Sequence, residues 1–225
     1  MSRVFEDVRP LTDRLVEETR PHLTELCATP FVQAIVSQTL TREAYGNWLL
    51  EQYPIHEALD QRVVERRDDA PLLRDTATDF RLHAPHLRAD LKYHKLEPPK
   101  KPSDAARAAI DRIAHAAEHQ PLALFGYHYV REAKLNLRRH LAQKLREAWG
   151  CPGQRDGFWF LDPHGVGQYP LWARFCRDVD KHRLTEDERA FIVEAAGKML
   201  DTAIGIYKRH GTPPAGEPRP VPVSF

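Results

Sequence analysis

Residues 121–148 read PLALFGYHYVREAKLNLRRHLAQKLREA, a long stretch that a proline opens and no internal proline interrupts. Gly150 and Pro152 follow it, which is typical of a helix end. At 3.6 residues per turn no side of this stretch is purely apolar. Two polar rows run along it instead, His128–Glu132–Asn136–Arg139 and the cationic row Arg131–Lys134–Arg138. The stretch therefore predicts a central helix with polar groups turned away from bulk water, the alternative being a solvated face with i,i+4 ion pairs.

Outward from this helix, apolar residues recur at spacings of three and four, and strand signals are nearly absent. Helix starts are predicted at Thr41, Ser103 and Thr185, because each is a good N-cap residue before a periodic run. The pattern predicts an all-α fold, a single helical bundle of about seven or eight helices in residues 1–211. Residues 150–169 are expected to form a packed loop. The proline-rich residues 212–225 are expected to form an extended or disordered tail.

The composition of the chain limits the kinds of partner and the cellular compartment that we expect for it. The 225 residues carry a balanced charge of +1, which does not indicate a nucleic-acid partner. No apolar run approaches the roughly 20 residues that span a bilayer, so no membrane partner is expected. The first residues lack the apolar core of a signal peptide. Three widely spaced cysteines favour reduced thiols, and hence a cytoplasmic protein.

Two further groups of polar residues qualify as candidate site residues. Gln52 and His56 lie in or beside the apolar stripe of the second long helix, where Pro54 predicts a kink. Such a position indicates either a pocket or a histidine satisfied within the core. The second group is His83, His86, Asp90 and His94, which have the spacing of metal ligands. Pro85 interrupts this row and basic residues surround it, so the pattern favours a charged exterior helix over a metal site.

Three runs of the chain resemble the heme oxygenase family, over roughly residues 10–210. They are EETRPHLTELCATPFVQAIVSQTLTREAYGNWLLEQYPIHEAL at 17–59, HAPHLRADLKYHKLEP at 83–98 and QPLALFGYHYVREAKLNLRRHLAQKL at 120–145. The first is similar to the family's two opening helices and the last to its distal helix. The resemblance implies the family's helical fold, a small-molecule substrate, a reductase as electron donor, and allows a homodimer.

The resemblance also shows where this chain departs from the family. Leu23 stands at the position of the proximal histidine, and His22 is its neighbour, about 100° away around the helix. The glycine-rich segment that lies against haem corresponds to residues 134–139, with Leu135 in place of a proton-relaying aspartate. His56 replaces a distal tyrosine. These differences predict weak or absent turnover of haem to biliverdin.

Relatives of the superfamily imply other uses of the same bundle. Some resemble non-haem di-iron oxidases, and this chain offers His56, Glu132 and either His128 or His22 for a single iron. His56, Glu132 and His128 are therefore the predicted catalytic and metal-binding residues, and His22, Lys134 and Arg138 the predicted cofactor-binding residues. The cofactor is either non-haem iron or haem.

Three hypotheses follow. The first is an O2-dependent oxidoreductase with an altered pocket, the second a binding protein that has lost the chemistry, and the third a true heme oxygenase with His22 as axial ligand. Lys134 and Arg138 occupy the positions of haem-facing glycines, and buried cations need partners. We therefore predict an anionic ligand, a carboxylate or phosphate, held by these two residues. The alternative is a rotated helix whose cations face water over a closed pocket.

Overall fold

The structure is a computed structural model that describes residues 9–211, 219 and 221. These residues form no β-strand, so the predicted all-α bundle is confirmed. They contain ten α-helical segments, more than the seven or eight expected. The central helix is divided in two at one residue, and two short helices, Pro30–Val36 and Pro71–Thr76, lie between longer ones. In chain order they are α1 Leu11–Cys27, α2 Pro30–Val36, α3 Arg42–Arg66, α4 Pro71–Thr76, α5 Ala84–Tyr93, α6 Asp104–His119, α7 Pro121–Ala133, α8 Leu135–Ala148, α9 Gln168–Asp180 and α10 Glu186–Arg209.

The predicted helix starts are formed by side-chain caps. Thr41 accepts a hydrogen bond from the backbone N–H of Ala44 at 3.1 Å, and Ser103 accepts one from Ala106 at 3.1 Å. Thr185 and Glu188 form a reciprocal capping box at the start of α10. Each cap satisfies backbone donors that have no partner within the helix. None of the described helices is long and apolar enough to cross a membrane.

The central stretch forms two helices that meet at Lys134. Lys134 keeps right-handed helical dihedrals, φ −71° and ψ −11°, and the Arg138 N–H still donates to its carbonyl at 2.8 Å. The interruption is therefore local. As the sequence predicts, α8 ends before Gly150, whose φ of +67° lies in the left-handed region that favours glycine.

The last long helix packs against the central one at a glycine. α10 lies along both α7 and α1, and a Cβ atom added at Gly126 of α7 would lie only 2.7 Å from the Ile192 carbonyl oxygen of α10. The other walls of the bundle are α3, which packs on α5 and α6, and α2, which packs on α8 and α10. α7 and α8 thus lie at the centre.

Residues 71–96 include the histidine row that was expected on an exterior helix, and they differ from that expectation. They form α4, a 3-10 turn at Asp79–Arg81 and α5, and they bury Arg81, His83 and Asp90. Asp90 accepts hydrogen bonds from the backbone N–H groups of Trp159 and Phe160, both at 2.8 Å. Those two bonds hold the loop after α8, so Asp90 is a structural residue and not a metal ligand on the surface.

The predicted tail is described only at residues 219 and 221. The side-chain amide of Gln33 donates to the Arg219 carbonyl at 3.0 Å and accepts from the Arg219 N–H at 2.6 Å. Val221 packs against the core. The remainder of the predicted tail lies outside the described residues.

Candidate functional site

The cationic row of the central helices faces the interior. Arg131, Lys134 and Arg138 are at most 2 % exposed. The alternative in which a rotated helix turns these cations to water is therefore wrong. Their burial requires partners, because an unpaired charge inside a protein is unfavourable by several kcal/mol.

Arg131 has such partners. It forms an ion pair with Asp60 of α3, and its Nε donates to His128 Nδ1 at 2.9 Å. Asp60 also accepts from the Ala84 backbone N–H at 2.7 Å. His128 Nε2 donates to the Thr76 carbonyl at 3.3 Å, and burial together with the nearby Arg131 charge lowers the pKa of His128 to about 3. His128 is therefore a neutral structural partner of Arg131.

Glu132 is the second buried carboxylate of the site. It forms an ion pair with Arg81 and accepts a hydrogen bond from His83 Nε2, with Oε1 at 3.0 Å. Arg81 also donates to the Leu171 carbonyl at 3.0 Å. Both oxygens of Glu132 are thus occupied by residues from the segment that the sequence placed on the exterior.

His83 connects Glu132 to the cationic row. Its Nδ1 accepts from Arg138 Nη1 at 3.2 Å, and its ring stacks on that of His56 with centroids 5.4 Å apart. Burial lowers the pKa of His83 well below its ordinary value, and that of His56 likewise. Both imidazoles are therefore neutral near pH 7. His83 accepts a hydrogen bond from Arg138 and donates one to Glu132, so it links the two residues.

Lys134 and Arg138 have no carboxylate partner among the described residues. The Arg138 Cζ lies 4.2 Å from the centroid of the Phe160 ring. Burial, together with the charge of Arg138, lowers the pKa of Lys134 well below its ordinary value. Within the described part of the chain this pair has no counterion in its dry environment, so burial favours loss of the Lys134 proton unless an anion is bound.

Polar atoms without partners gather around this pair. On Arg138 the Nε and Nη2 atoms are buried without a hydrogen bond within the described part, as is Arg131 Nη2. Three more such atoms lie at four-residue intervals on α3: Trp48 Nε1, Gln52 Nε2 and His56 Nδ1. Trp48 and His56 both contact Phe160, with ring centroids at 5.5 and 4.9 Å, on the ring that Arg138 covers. Most of these atoms are donors, so the site lacks acceptors.

The residues predicted to bind iron are not grouped as a metal site. Among the described residues no three His, Cys, Asp or Glu side chains are placed to hold a metal ion. Glu132 is instead bound by Arg81 and His83, and His128 accepts a hydrogen bond from Arg131. Of the three predicted ligands, His56 alone keeps a ring nitrogen without a partner.

His22 lies apart from these groups. Its Nε2 is 3.5 Å from Asp201 of α10, its side chain is 31 % exposed, and a Cβ atom added at Gly197 would lie 3.7 Å from its ring. His22 therefore packs against α10. Leu23, at the position that the resemblance assigns to the axial ligand, is buried and has no ligating atom.

The positions that the resemblance assigns to haem contact enclose no haem-sized space. Leu23, Lys134, Leu135 and Arg138 are at most 4 % exposed. A cavity large enough for a macrocycle would leave its lining side chains accessible to solvent. The residues present therefore do not fit haem, since they provide neither the axial imidazole nor the flat space.

Sequence reasoning missed Arg81 and Asp60, and it placed His83 on an exterior helix. A signal existed for Asp60, which lies four residues after His56 on the inward face of α3, in step with Gln52. His83 belonged to the histidine row that the sequence analysis assigned to a charged exterior helix. Arg81 had no sequence signal, because its partner Glu132 is 51 residues away along the chain.

Comparisons with known proteins agree with this architecture. A family model described as heme oxygenase matches residues 9–205. The heme oxygenase structure from Leptospira interrogans is similar at a TM-score of 0.82 and 19% identity, covering 89% of this chain and 100% of that one. Heme oxygenase-2 from Synechocystis sp. PCC 6803, in complex with heme and NO, gives 0.79 and 19%, covering 88% and 84%. At these identities the structures show the fold alone. A comparison with curated proteins gives no match.

Proposed function

The chain belongs to the heme oxygenase family, and from that premise we propose that it is a divergent member whose central site binds a small oxyanion instead of cleaving haem. Oxygenase-type chemistry is the class of activity that family membership suggests. Lys134 and Arg138 would hold the anion, which would be the substrate or part of it.

The observation that carries the proposal is the charge balance of the buried site. Four cationic side chains are buried at the site: Arg81, Arg131, Lys134 and Arg138. Two of them are balanced by carboxylates, since Arg81 pairs with Glu132 and Arg131 pairs with Asp60. The remaining cations are Lys134 and Arg138, one turn apart on the same helix. An anion between them would supply the counterion that this buried pair lacks, and the desolvation of an unpaired ion is unfavourable by several kcal/mol.

The unpartnered donors support an oxyanion in particular. Arg138 Nε and Nη2 form a fork that matches two oxygens of a carboxylate or phosphate, and Lys134 adds a point charge. Trp48 Nε1 and Gln52 Nε2 are further donors on the facing helix. Because these side chains are nearly inaccessible, we propose a small anion, of the size of phosphate or a short carboxylate.

Neutral imidazoles beside the cations supply acid–base capacity. His56 Nδ1 has no partner in the described part, and the lowered pKa of His56 keeps its ring neutral near pH 7. His83 is held between Arg138 and Glu132, and so cannot turn freely. We assign the general base to His56 and a positioning role to His83 and Glu132.

The test is thermal unfolding with and without anions. Phosphate and acetate at 100 times their Kd should each stabilise the protein by about 2.7 kcal/mol. Lys134→Met and Arg138→Met should remove the central site's share of this effect and leave only what an anion bound elsewhere on the chain contributes, whereas Arg107→Met, which removes an exposed arginine of α6, should keep the full effect. Full anion stabilisation in both central variants would refute the proposal.

A spectrum with added haem separates this proposal from haem cleavage. We expect no Soret band typical of imidazole-ligated haem, and the same spectrum for His22→Ala as for the unchanged protein. An imidazole-ligated spectrum that disappears in His22→Ala, together with biliverdin formation in the presence of a reductase, would establish the third hypothesis instead.

A further inference from the structure

A second cationic region lies outside the central site, on the other side of α8. A cavity of about 480 Å³ opens between α8 and the loop of residues 152–166, and it is called the α8–loop cavity below. Its volume lies within the range of small-molecule sites, about 300–1,000 Å³. Its polar lining includes Arg139, Gln143, Arg146, Arg155, Asp162 and His164.

Three guanidinium groups converge on this cavity. Arg146 is only 7 % exposed, donates to Asp162 Oδ2 at 2.9 Å and to the Gln154 carbonyl, and its buried Nη2 has no partner among the described residues. Arg155 donates to the Pro163 carbonyl at 2.7 Å, and its Cζ lies 4.1 Å from the centroid of Trp159. These contacts fix two of the three arginines before any ligand arrives.

Arg139 is the least engaged of the three. Its Nε is 3.9 Å from Asp162 Oδ1, which is too long for a hydrogen bond, and its side chain is 20 % exposed. It therefore has donors to offer to a ligand. Arg139 follows Arg138 directly, but successive helical side chains point about 100° apart, so one faces the cavity while the other faces the core.

The charges around the cavity leave it positive. Asp162 is the carboxylate shared by Arg139 and Arg146, and it also accepts from the Gly165 N–H at 3.1 Å. The other lining carboxylate, Glu147, is paired with Lys144 at 3.1 Å. Burial lowers the pKa of His164, so the imidazole is neutral near pH 7. Three guanidiniums thus face one carboxylate that is not paired elsewhere.

The loop leaves room beside these arginines. Gly153 and Gly165 have φ values of +78° and +55°, and a Cβ atom at either would meet nothing within 4 Å. The open backbone and the cationic wall occur together, on the side where Arg139 keeps unused donors.

We propose that the α8–loop cavity binds a small molecule bearing a phosphate or carboxylate group, through Arg139 and Arg155, with Arg146 fixing the wall behind them. Arginine is suited to this role because its planar fork pairs two oxygens of either group. This site is separate from the central one and does not depend on the function proposed for it.

Isothermal titration of the full chain with inorganic phosphate, pyrophosphate and tricarballylate tests the proposal and distinguishes the two chemistries. Arg139→Gln and Arg155→Gln should each weaken binding of the preferred probe about tenfold or more, as expected for loss of a charge-assisted hydrogen bond. Arg107→Gln is the matched control, because it removes one exposed arginine on α6 and should leave binding unchanged.

Arg138→Met separates this site from the central one. We expect it to remove anion binding at the central site and to leave binding at the α8–loop cavity within twofold. If Arg139→Gln and Arg155→Gln bind all three probes as the unchanged protein does, the proposal is overturned, whatever the result at the central site. Loss of all binding in Arg138→Met alone would also overturn it. A circular dichroism spectrum of each variant excludes unfolding as the cause.

Discussion

The guanidinium of Arg138 lies over the ring of Phe160, with its Cζ 4.2 Å from the ring centroid. The aromatic face attracts the cation but does not neutralise it. Its side-chain hydrogen-bonding partner among the described residues is uncharged, His83 at 3.2 Å. Arg138 thus differs from Arg131, seven residues earlier on the same helical axis, which forms an ion pair with Asp60.

Replacing these two arginines with methionine should have opposite effects on stability. In buffer without a binding anion, Arg138→Met should raise the free energy of unfolding, on the order of 1–4 kcal/mol, because it removes a buried charge that has no counterion. Arg131→Met should lower it by about 3–5 kcal/mol, because Asp60 is then left buried without its partner. Urea unfolding of both variants measures the difference.

The comparison contains its own control, since the two substitutions are chemically identical and both positions are almost inaccessible. If both variants lose stability by similar amounts, Arg138 has a counterion that its surroundings do not show, and the central charge excess does not exist.

Acid should destabilise the protein through the buried histidines. The folded-state pKa of His128, about 3, lies below the ordinary value of about 6.5. Between these two values the unfolded chain binds a proton that the folded chain does not, so stability is complete above about pH 6.5 and falls as the pH drops toward 3. His56 and His83, whose pKa values are also lowered, add to the same slope.

His128→Gln should reduce that slope by as much as one proton, or about 1.4 kcal/mol per pH unit. The measurement is the urea midpoint at several pH values between 4 and 7. His119→Gln on α6 is the control, because His119 is exposed, and the unchanged slope is expected there. An unaltered slope in His128→Gln would show that His128 binds its proton over the same pH range in the folded and the unfolded chain.

Replacing two helical glycines with alanine should have opposite effects on stability. A methyl group at Gly126 would lie 2.7 Å from the Ile192 carbonyl oxygen and 2.8 Å from the Ala195 Cβ, so Gly126→Ala should cost about 1–3 kcal/mol by forcing α7 from α10. A methyl group at Gly205 meets nothing within 4 Å, so Gly205→Ala should stabilise α10 by about 1 kcal/mol. Thermal unfolding of the two variants gives both signs.

The fold could be predicted from the sequence because its signals are local. The caps at Thr41, Ser103 and Thr185 and the end of α8 before Gly150 each depend on a few neighbouring residues. The exterior position expected for the histidine row was wrong for His83 and Asp90, because it was inferred from the basic residues around the row. Burial of Asp90 depends on a loop about 70 residues further along the chain.

The candidate site could be predicted only in part, for a related reason. The inward direction of Lys134 and Arg138 followed from the match to a haem-facing segment, whereas the roles of Glu132 and His128 depend on which side chains reach them. Glu132 meets Arg81 and His83, 51 and 49 residues earlier, through turns that helical periodicity does not position. A carboxylate near histidines has the composition of a metal site whether or not a cation already occupies it.

The ion pair between Arg81 and Glu132 should therefore show strong coupling in a double-mutant cycle. Arg81→Met and Glu132→Gln should each lower the free energy of unfolding by about 3–5 kcal/mol, because each leaves the other group buried and charged. The double variant should lose at least about 2 kcal/mol less than the sum, since neither charge is then left alone. The exposed pair Arg107–Asp104, at 3.1 Å, is the control, with a coupling of about 0.5 kcal/mol. Every measurement is repeated in EDTA: equal coupling with and without the chelator is expected if Arg81 is the partner of Glu132, and coupling that vanishes in EDTA would identify Glu132 as a metal ligand.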